Sequence, residues 1–139
     1  MPPPSSGYSG TPLVRKLGYK PGMRVRFLHA PDDYMDLLGP LPEGVQVLQS
    51  TRGPIDLGHV FLTRASELRR VVPTFHRHLA SDGMLWISWP KKTSGVDTDL
   101  TGDVVRSMVL ETGLVDIKVC AVNETWSALK FVIRKRDRS

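Results

Sequence analysis

The chain has little cysteine and no long apolar run. Cys120 is its only cysteine, which excludes an internal disulfide framework and is typical of a reducing cytoplasm. No apolar run approaches the roughly 20 residues that a membrane-spanning helix needs. The first seven residues, MPPPSSG, lack the basic and apolar regions of a secretory signal. Together these absences predict a cytoplasmic protein with no membrane partner.

Two segments of the chain, residues 15–26 and residues 134–139, are strongly basic and contain only one acidic residue between them. The net charge is +5, of which residues 15–26 contribute +5 and residues 134–139 contribute +3, so the segment between them is −3. Basic ends of this kind attract phosphates. A nucleic-acid-associated protein using Arg15–Arg26 and Arg134–Arg138 is therefore one alternative. No nucleic-acid-binding motif accompanies the charge, which disfavours it.

The length of 139 residues suits one folded domain. Residues 1–12 are rich in Pro, Ser and Gly and are predicted to form a disordered lead-in. Residues 13–133 are predicted to form a single α/β domain, and residues 134–139 a basic C-terminal tail.

Hydrophobic patterning predicts strands that alternate with helices. Strands are expected at 24–30, 44–49, 56–63, around Trp86, at 115–122 and at 128–133, with helices at 34–38, 68–79 and 100–112. Ser81–Asp82–Gly83 is predicted to turn the chain into the Trp86 strand, and Asp99 to cap the last helix. The final two strands are too close for a crossover and must form an antiparallel hairpin. This order predicts one mostly parallel sheet with helices on both faces.

The stretch Leu79–Ala80–Ser81–Asp82–Gly83–Met84–Leu85–Trp86 is similar to the helix, Gly turn and strand of class I methyltransferases. Residues 56–133 as a whole resemble that family, which implies a Rossmann-like, methyltransferase-like sheet. Two cofactor positions of the family are not matched. The first strand runs into His29–Ala30–Pro31 without a glycine, and no acidic residue stands in Leu48–Arg52, after the second strand. We therefore expect the fold without a bound S-adenosylmethionine cofactor.

Three further segments are similar to a small bacterial family that is known only as a domain of unknown function. They are Lys16–Gly22, Trp89–Val96 and Glu124–Ser127, which together span most of the chain beyond residue 12. This resemblance implies a bacterial cytoplasmic protein and brings no activity with it.

Polar residues follow several strands where parallel α/β proteins usually bind ligands, at the carboxyl ends of the strands. The loop after the Trp86 strand offers two cations and two hydroxyls for an anion, although Asp97 and Asp99 would oppose one and a solvated turn is the simpler interpretation. His29 with Asp32 or Asp33 could act as a general base or bind a metal, but Pro31 and the two acids are equally explained as the start of a helix. The candidate ligand-binding residues are His29, Asp32, Asp33, Arg64, Trp89, Lys91, Lys92, Thr93 and Ser94.

These observations favour a non-catalytic domain that binds a small anionic ligand or a protein partner. The alternatives are a methyltransferase-like transferase, with His29 or Asp33 as base and a non-standard cofactor site, and the nucleic-acid-associated protein described above. No catalytic residue is assigned and no metal site is predicted, since His76 and His78 lie two apart on a helix and face different directions.

Overall fold

The computed structural model of this protein describes residues 11–138, which form one six-stranded sheet flanked by helices. The predicted lead-in falls almost entirely outside the described residues. The helices are α1 (Leu13–Lys16), α2 (Tyr34–Leu38), α3 (Ala65–His78) and α4 (Gly102–Leu110). The strands are β1 (Arg24–Leu28), β2 (Gln46–Val47), β3 (Ile55–Phe61), β4 (Leu79–Pro90), β5 (Leu114–Ala121) and β6 (Trp126–Ile133).

The strand order in the sheet is β2-β1-β3-β4-β6-β5. The first four strands run parallel, while β6 is antiparallel to both β4 and β5. The prediction of a mostly parallel α/β sheet ending in an antiparallel hairpin is confirmed. Helices cover both faces because each apolar face of the sheet must be buried.

The two faces of the sheet carry separate hydrophobic clusters. Trp89 lies on the face covered by α3 and α4, and Trp86 lies on the opposite face with residues of the α1–α2 layer. The two side chains differ by three positions in one strand, which places them on opposite faces as the sequence predicts. The indole Nε1 of Trp86 donates to the carbonyl oxygen of Leu17 over 2.8 Å, which ties the end of α1 to the centre of the sheet.

The junction between α3 and β4 differs from the sequence prediction. The helix ends at His78 and β4 begins at Leu79, so Ser81–Asp82–Gly83 is not a separate turn after the helix. Leu79 pairs with Ile55 and Met84 pairs with Leu57, which places the intervening residues in a register irregularity of the strand. A Cβ on Gly83 would lie 2.7 Å from the carbonyl oxygen of Ile55, so glycine is needed there for close approach of two backbones.

The start of α4 also differs from the prediction. The helix begins at Gly102, and its N-cap is Thr101, whose hydroxyl accepts from the backbone N–H of Val104 over 3.2 Å. Asp99 instead accepts over 2.8 Å from the backbone N–H of Ala65, the first residue of α3. The carboxylate therefore satisfies a free N–H of a different helix from the one expected. None of the helices within residues 11–138 has the length and apolar character to cross a membrane.

Candidate functional site at the carboxyl edge

The parallel strands place the predicted polar residues along one edge of the sheet. His29 follows β1, Thr63 and Arg64 follow β3, and Lys91 follows β4. Trp126, at the start of the antiparallel strand β6, pairs with Pro90 at the end of β4 and so belongs to the same edge. We call this region the carboxyl edge. It is the place where an open α/β sheet usually binds a ligand.

Hydrogen bonds fix the backbone of the loop Lys91–Gly95, which we call the lysine loop. The N–H of Lys91 donates to the carbonyl oxygen of Thr125 over 2.8 Å. A 3₁₀ turn follows at Lys92–Ser94, and the Ser94 hydroxyl donates to the Lys91 carbonyl oxygen over 2.6 Å. Neither Lys91 nor Lys92 takes part in an ion pair within residues 11–138. The loop therefore has a defined backbone and two uncompensated cations.

The acidic residues beyond the lysine loop are occupied by other partners. Asp97 forms an ion pair with Arg64, which raises the pKa of that guanidinium by hydrogen bonding and charge attraction. Asp99 accepts from the start of α3, and the Thr98 hydroxyl donates to the Thr63 carbonyl oxygen over 2.6 Å. The repulsion that the sequence predicts between these acids and an anion is therefore weakened. The 97–99 segment serves mainly to fasten the loop to the β3–α3 corner.

His29 is brought to the carboxyl edge but not to the carboxylates that the sequence suggests. Its Nδ1 lies 3.8 Å from Oε2 of Glu67, a residue of α3. Asp32 and Asp33 are exposed, and Asp33 occupies the N-cap position of α2 without a side-chain capping bond. His29 also adopts a positive φ of 58°, an uncommon conformation for a residue other than glycine. The structure thus assembles a His29–Glu67 pair in place of the predicted His–Asp pair.

Trp89 and Cys120 are buried rather than open to a ligand. Trp89 is 8% exposed and packs within the α3–α4 cluster, where its ring approaches Gly102. Cys120 is 7% exposed in the opposite cluster, and burial raises the pKa of its thiol. A raised pKa leaves the thiol protonated and unreactive at neutral pH.

An aromatic cluster covers the carboxyl halves of β1 and β3 on the α2 side of the sheet. The ring of Tyr34, at the start of α2, lies 5.0 Å from Phe27, 5.2 Å from His59 and 5.2 Å from Phe61, each in an edge-on arrangement. Trp126 meets Phe61 edge-on at 5.1 Å. Tyr34 is only 1% exposed. These rings close the inner part of the carboxyl edge on this face.

A buried chain of hydrogen bonds runs through the same cluster. Nδ1 of His59 is hydrogen bonded to the Tyr34 hydroxyl over 2.6 Å, and Nε2 to the Ser88 hydroxyl over 2.6 Å. The Tyr34 hydroxyl is in turn hydrogen bonded to that of Tyr19 over 2.8 Å. His59 and Ser88 are both fully buried. This Tyr19–Tyr34–His59–Ser88 network joins two strands to the segments around α1 and α2.

Burial keeps every member of the network in its neutral form at physiological pH. Desolvation lowers the pKa of His59 to about 3, and it raises the pKa values of Tyr19 and Tyr34 above their ordinary range. A neutral imidazole has one N–H and one acceptor nitrogen, which suits hydroxyl partners on both sides. The network therefore stabilises one packing arrangement, and no side-chain charge needs to be buried for it.

The prediction from the sequence misses this network, although one signal was available. Leu57, His59 and Phe61 alternate along β3 and share one buried face. A histidine among buried apolar neighbours needs hydrogen-bonding partners. Its actual partners lie 25 and 29 residues away in sequence, so spacing alone could not identify them.

The residues at the ends of β1 and β2 do not fit the S-adenosylmethionine cofactor that the fold family implies. After β1 the chain bears the side chains of His29, Ala30 and Pro31, where a close backbone approach would need glycine. The buried Tyr34 ring fills the neighbouring space. After β2, residues 48–52 contain no carboxylate for ribose hydroxyls and end in Arg52.

Comparison with solved structures shows a methyltransferase-like fold. The chain is similar to a TehB-like SAM-dependent methyltransferase from Corynebacterium glutamicum, with a TM-score of 0.58 and 11% identity, over 94% of this chain and 91% of that one. A SAM-dependent methyltransferase from Aquifex aeolicus gives 0.57 and 14%, over 88% of each chain. Aeropyrum pernix fibrillarin, solved with natively bound S-adenosyl-L-methionine, gives 0.56 and 12%, over 91% and 70%.

These matches establish the Rossmann-like, class I methyltransferase-like architecture and confirm the predicted fold. At such low sequence identity these matches show the fold alone, because proteins of one fold have many different functions. No protein-family model matches the chain, and no curated protein matches it.

Proposed function

We propose that this protein is a non-catalytic domain of methyltransferase-like fold that binds a small anionic ligand at the lysine loop. The observation that carries the proposal is the pair Lys91 and Lys92, held without ionic partners on a hydrogen-bonded loop at the carboxyl edge. An ammonium group supplies a point charge for phosphate or carboxylate. The Thr93 side chain, exposed in the same turn, adds a hydroxyl.

The aromatic cluster supports the non-catalytic part of the proposal. Tyr34 and Trp126 cover the face of the edge where a cofactor would need room, and His59 and Ser88, the other end of the hydrogen-bond network of Tyr34, are fully buried. The ligand would then bind on the outer rim, beside Arg64, whose charge is balanced by Asp97. We place this binding in a reducing cytoplasm, which a single buried thiol favours, and in a bacterium, which the sequence resemblance to a small bacterial family implies.

The lysine loop can be tested by thermal shift. Wild-type protein is screened against inorganic phosphate, nucleotides and phosphorylated metabolites at millimolar concentration. A ligand at 100 times its dissociation constant stabilises the fold by about 2.7 kcal/mol, and each kcal/mol raises the melting temperature by about 2–4 °C for a domain near this size. We expect at least one phosphorylated compound to give such a shift, and the double variant Lys91→Ala/Lys92→Ala to lose most of it.

Lys118→Ala is the matched control, because Lys118 is an exposed lysine on the edge strand β5. It should respond to the ligand as wild type does. An equal shift in the Lys91→Ala/Lys92→Ala protein would contradict the proposed site. If no small anion shifts the wild type, the small-ligand proposal fails, and the protein-partner alternative at the same loop takes its place.

A transferase with a non-standard cofactor site is the second candidate, and the methyltransferase-like neighbours favour it. His29 is half-exposed at the carboxyl edge and lies within reach of Glu67, so a base could operate there in this alternative. It requires S-adenosylmethionine or a related cofactor to bind, which separates it from the first candidate.

A further inference from the structure

A groove lies beside α3 on the flank that faces away from α4. The connection between β2 and β3, residues 48–54, contains no helix, so this flank of α3 borders only a loop. Two cavities of about 560 and 160 Å³ follow one another along it and share Thr51 as a lining residue. We call this feature the arginine groove.

Both cavities of the groove carry exposed arginine side chains, and the smaller one is otherwise lined mainly by apolar side chains. Arg52, Arg77 and His78 line the larger cavity and Arg70 lines the smaller, while no acidic side chain lines either one. The three arginines are exposed, and none of them enters the ion pairs formed within residues 11–138. The segment 27–133 has a net charge of −3. The three arginines of the groove therefore form a local positive patch in a part of the chain that is otherwise acidic.

Hydrogen bonds on both sides hold the loop that forms one wall of the groove. The N–H of Gly53 donates to Nδ1 of His78 over 3.2 Å, which fastens the loop to the end of α3. Arg26 donates through Nε to the Thr51 hydroxyl over 3.2 Å and holds the other side of the loop. A Cβ on Gly53 would lie 2.5 Å from the carbonyl oxygen of His78. This contact explains why a glycine stands at the closest approach.

The spacing of the arginines favours an extended anion over a single phosphate. Arg70, Thr74 and Arg77 share one face of α3, and Arg70 and Arg77 lie seven positions apart, about 10 Å along the helix axis. A stacked strand of nucleic acid advances about 3.4 Å per nucleotide. The separation of the two arginines along the helix therefore corresponds to roughly three nucleotides. The groove is open to solvent and lies between a helix and a loop, so a single extended strand could reach both arginines.

We propose that the arginine groove binds the phosphodiester backbone of single-stranded nucleic acid. This site is separate from the lysine loop and independent of the function proposed there. The sequence alone would assign any nucleic-acid contact to the chain ends Arg15–Arg26 and Arg134–Arg138, of which Arg26 contacts the groove, through Thr51. Binding through phosphates is non-specific in sequence and weakens as salt rises.

Fluorescence anisotropy with a labelled oligouridylate, a labelled oligothymidylate and a labelled DNA duplex tests the proposal. We expect the single strands to bind at about 50 mM salt and to weaken strongly by about 200 mM. The double variant Arg70→Ala/Arg77→Ala should bind about tenfold or more weakly. A plot of the logarithm of its binding constant against the logarithm of the salt concentration should also be shallower by about 1.4, because each lost phosphate contact reduces the slope by roughly 0.7.

Arg69→Ala is the matched control, because Arg69 lies on the same helix but lines the cavity between α3 and α4 with Glu111. It should bind as wild type does. The proposal is overturned if neither single strand binds, if the duplex binds more tightly than both, or if Arg69→Ala weakens binding as much as the groove variant. It is also overturned if deleting 134–139 abolishes binding while the groove variant retains it, or if ATP competes as well as an unlabelled strand of equal phosphate concentration.

Discussion

Replacing Tyr34 by alanine is expected to lower the free energy of unfolding by about 3–5 kcal/mol. Its ring is 1% exposed and contacts Phe27, His59 and Phe61, so truncation leaves a cavity in the aromatic cluster. The same change also removes the hydroxyl that links Tyr19 to His59. Equilibrium urea denaturation measures the loss directly.

Two control variants separate the causes of this effect. Tyr34→Phe keeps the ring but leaves buried polar partners unsatisfied, and it should cost about 1–3 kcal/mol. Met35→Ala changes the next residue of the same helix, whose side chain is 46% exposed, and should stay within about 0.5 kcal/mol of wild type. A Tyr34→Ala protein no less stable than Met35→Ala would show that the ring does not fill the carboxyl edge.

Acidification is expected to destabilise the protein through His59. Burial lowers its folded-state pKa to about 3 from an ordinary value of 6.5, so the unfolded chain binds a proton between these pH values and the folded protein does not. The stabilising contribution is complete above pH 6.5 and is lost as the pH falls through this window, at about 1.4 kcal/mol per pH unit. Urea denaturation at pH 6.5 and two units lower should therefore differ by about 2–3 kcal/mol from this residue alone.

The variant His59→Phe tests whether this residue is the source. It should be less stable than wild type at neutral pH, because Ser88 and Tyr34 lose their imidazole partner, but its stability should fall much less over the same pH range. Met35→Ala, which truncates an exposed side chain without a titratable group, should keep the wild-type pH dependence. A His59→Phe protein with the full wild-type slope would rule out a buried neutral histidine.

The fold was largely predictable because local signals agree with the tertiary arrangement. The last two predicted strands are separated by only five residues, and by four in the structure, which forces a hairpin. The three-residue offset of Trp86 and Trp89 places them on opposite faces of the sheet. Errors occurred where tertiary contacts decided the outcome. Asp99 was expected to cap α4 but bonds to α3, and the Ser81–Gly83 segment joined β4 because Ile55 and Leu57 extend the neighbouring strand.

The candidate site was predictable in position but not in its pairings. Parallel strands bring His29, Arg64 and Lys91 to one edge whatever their partners. The sequence could not show that His29 would meet Glu67 across the fold or that Arg64 would neutralise Asp97. The arginine groove was hidden for the same reason, since Arg52 approaches α3 only after the 48–54 loop packs against His78.

We propose that this methyltransferase-like sheet does not bind S-adenosylmethionine, because the residues after β1 and β2 do not fit the cofactor and the rings of Tyr34 and Trp126 cover the neighbouring face. Isothermal titration calorimetry of the wild-type protein with S-adenosylmethionine, run beside the Aquifex aeolicus methyltransferase as a positive control, tests it most directly. The account predicts no saturable heat with a dissociation constant below about 1 mM, equivalent to less than about 4 kcal/mol of binding free energy. One-site binding at micromolar concentration would contradict it and establish the transferase alternative as the better description.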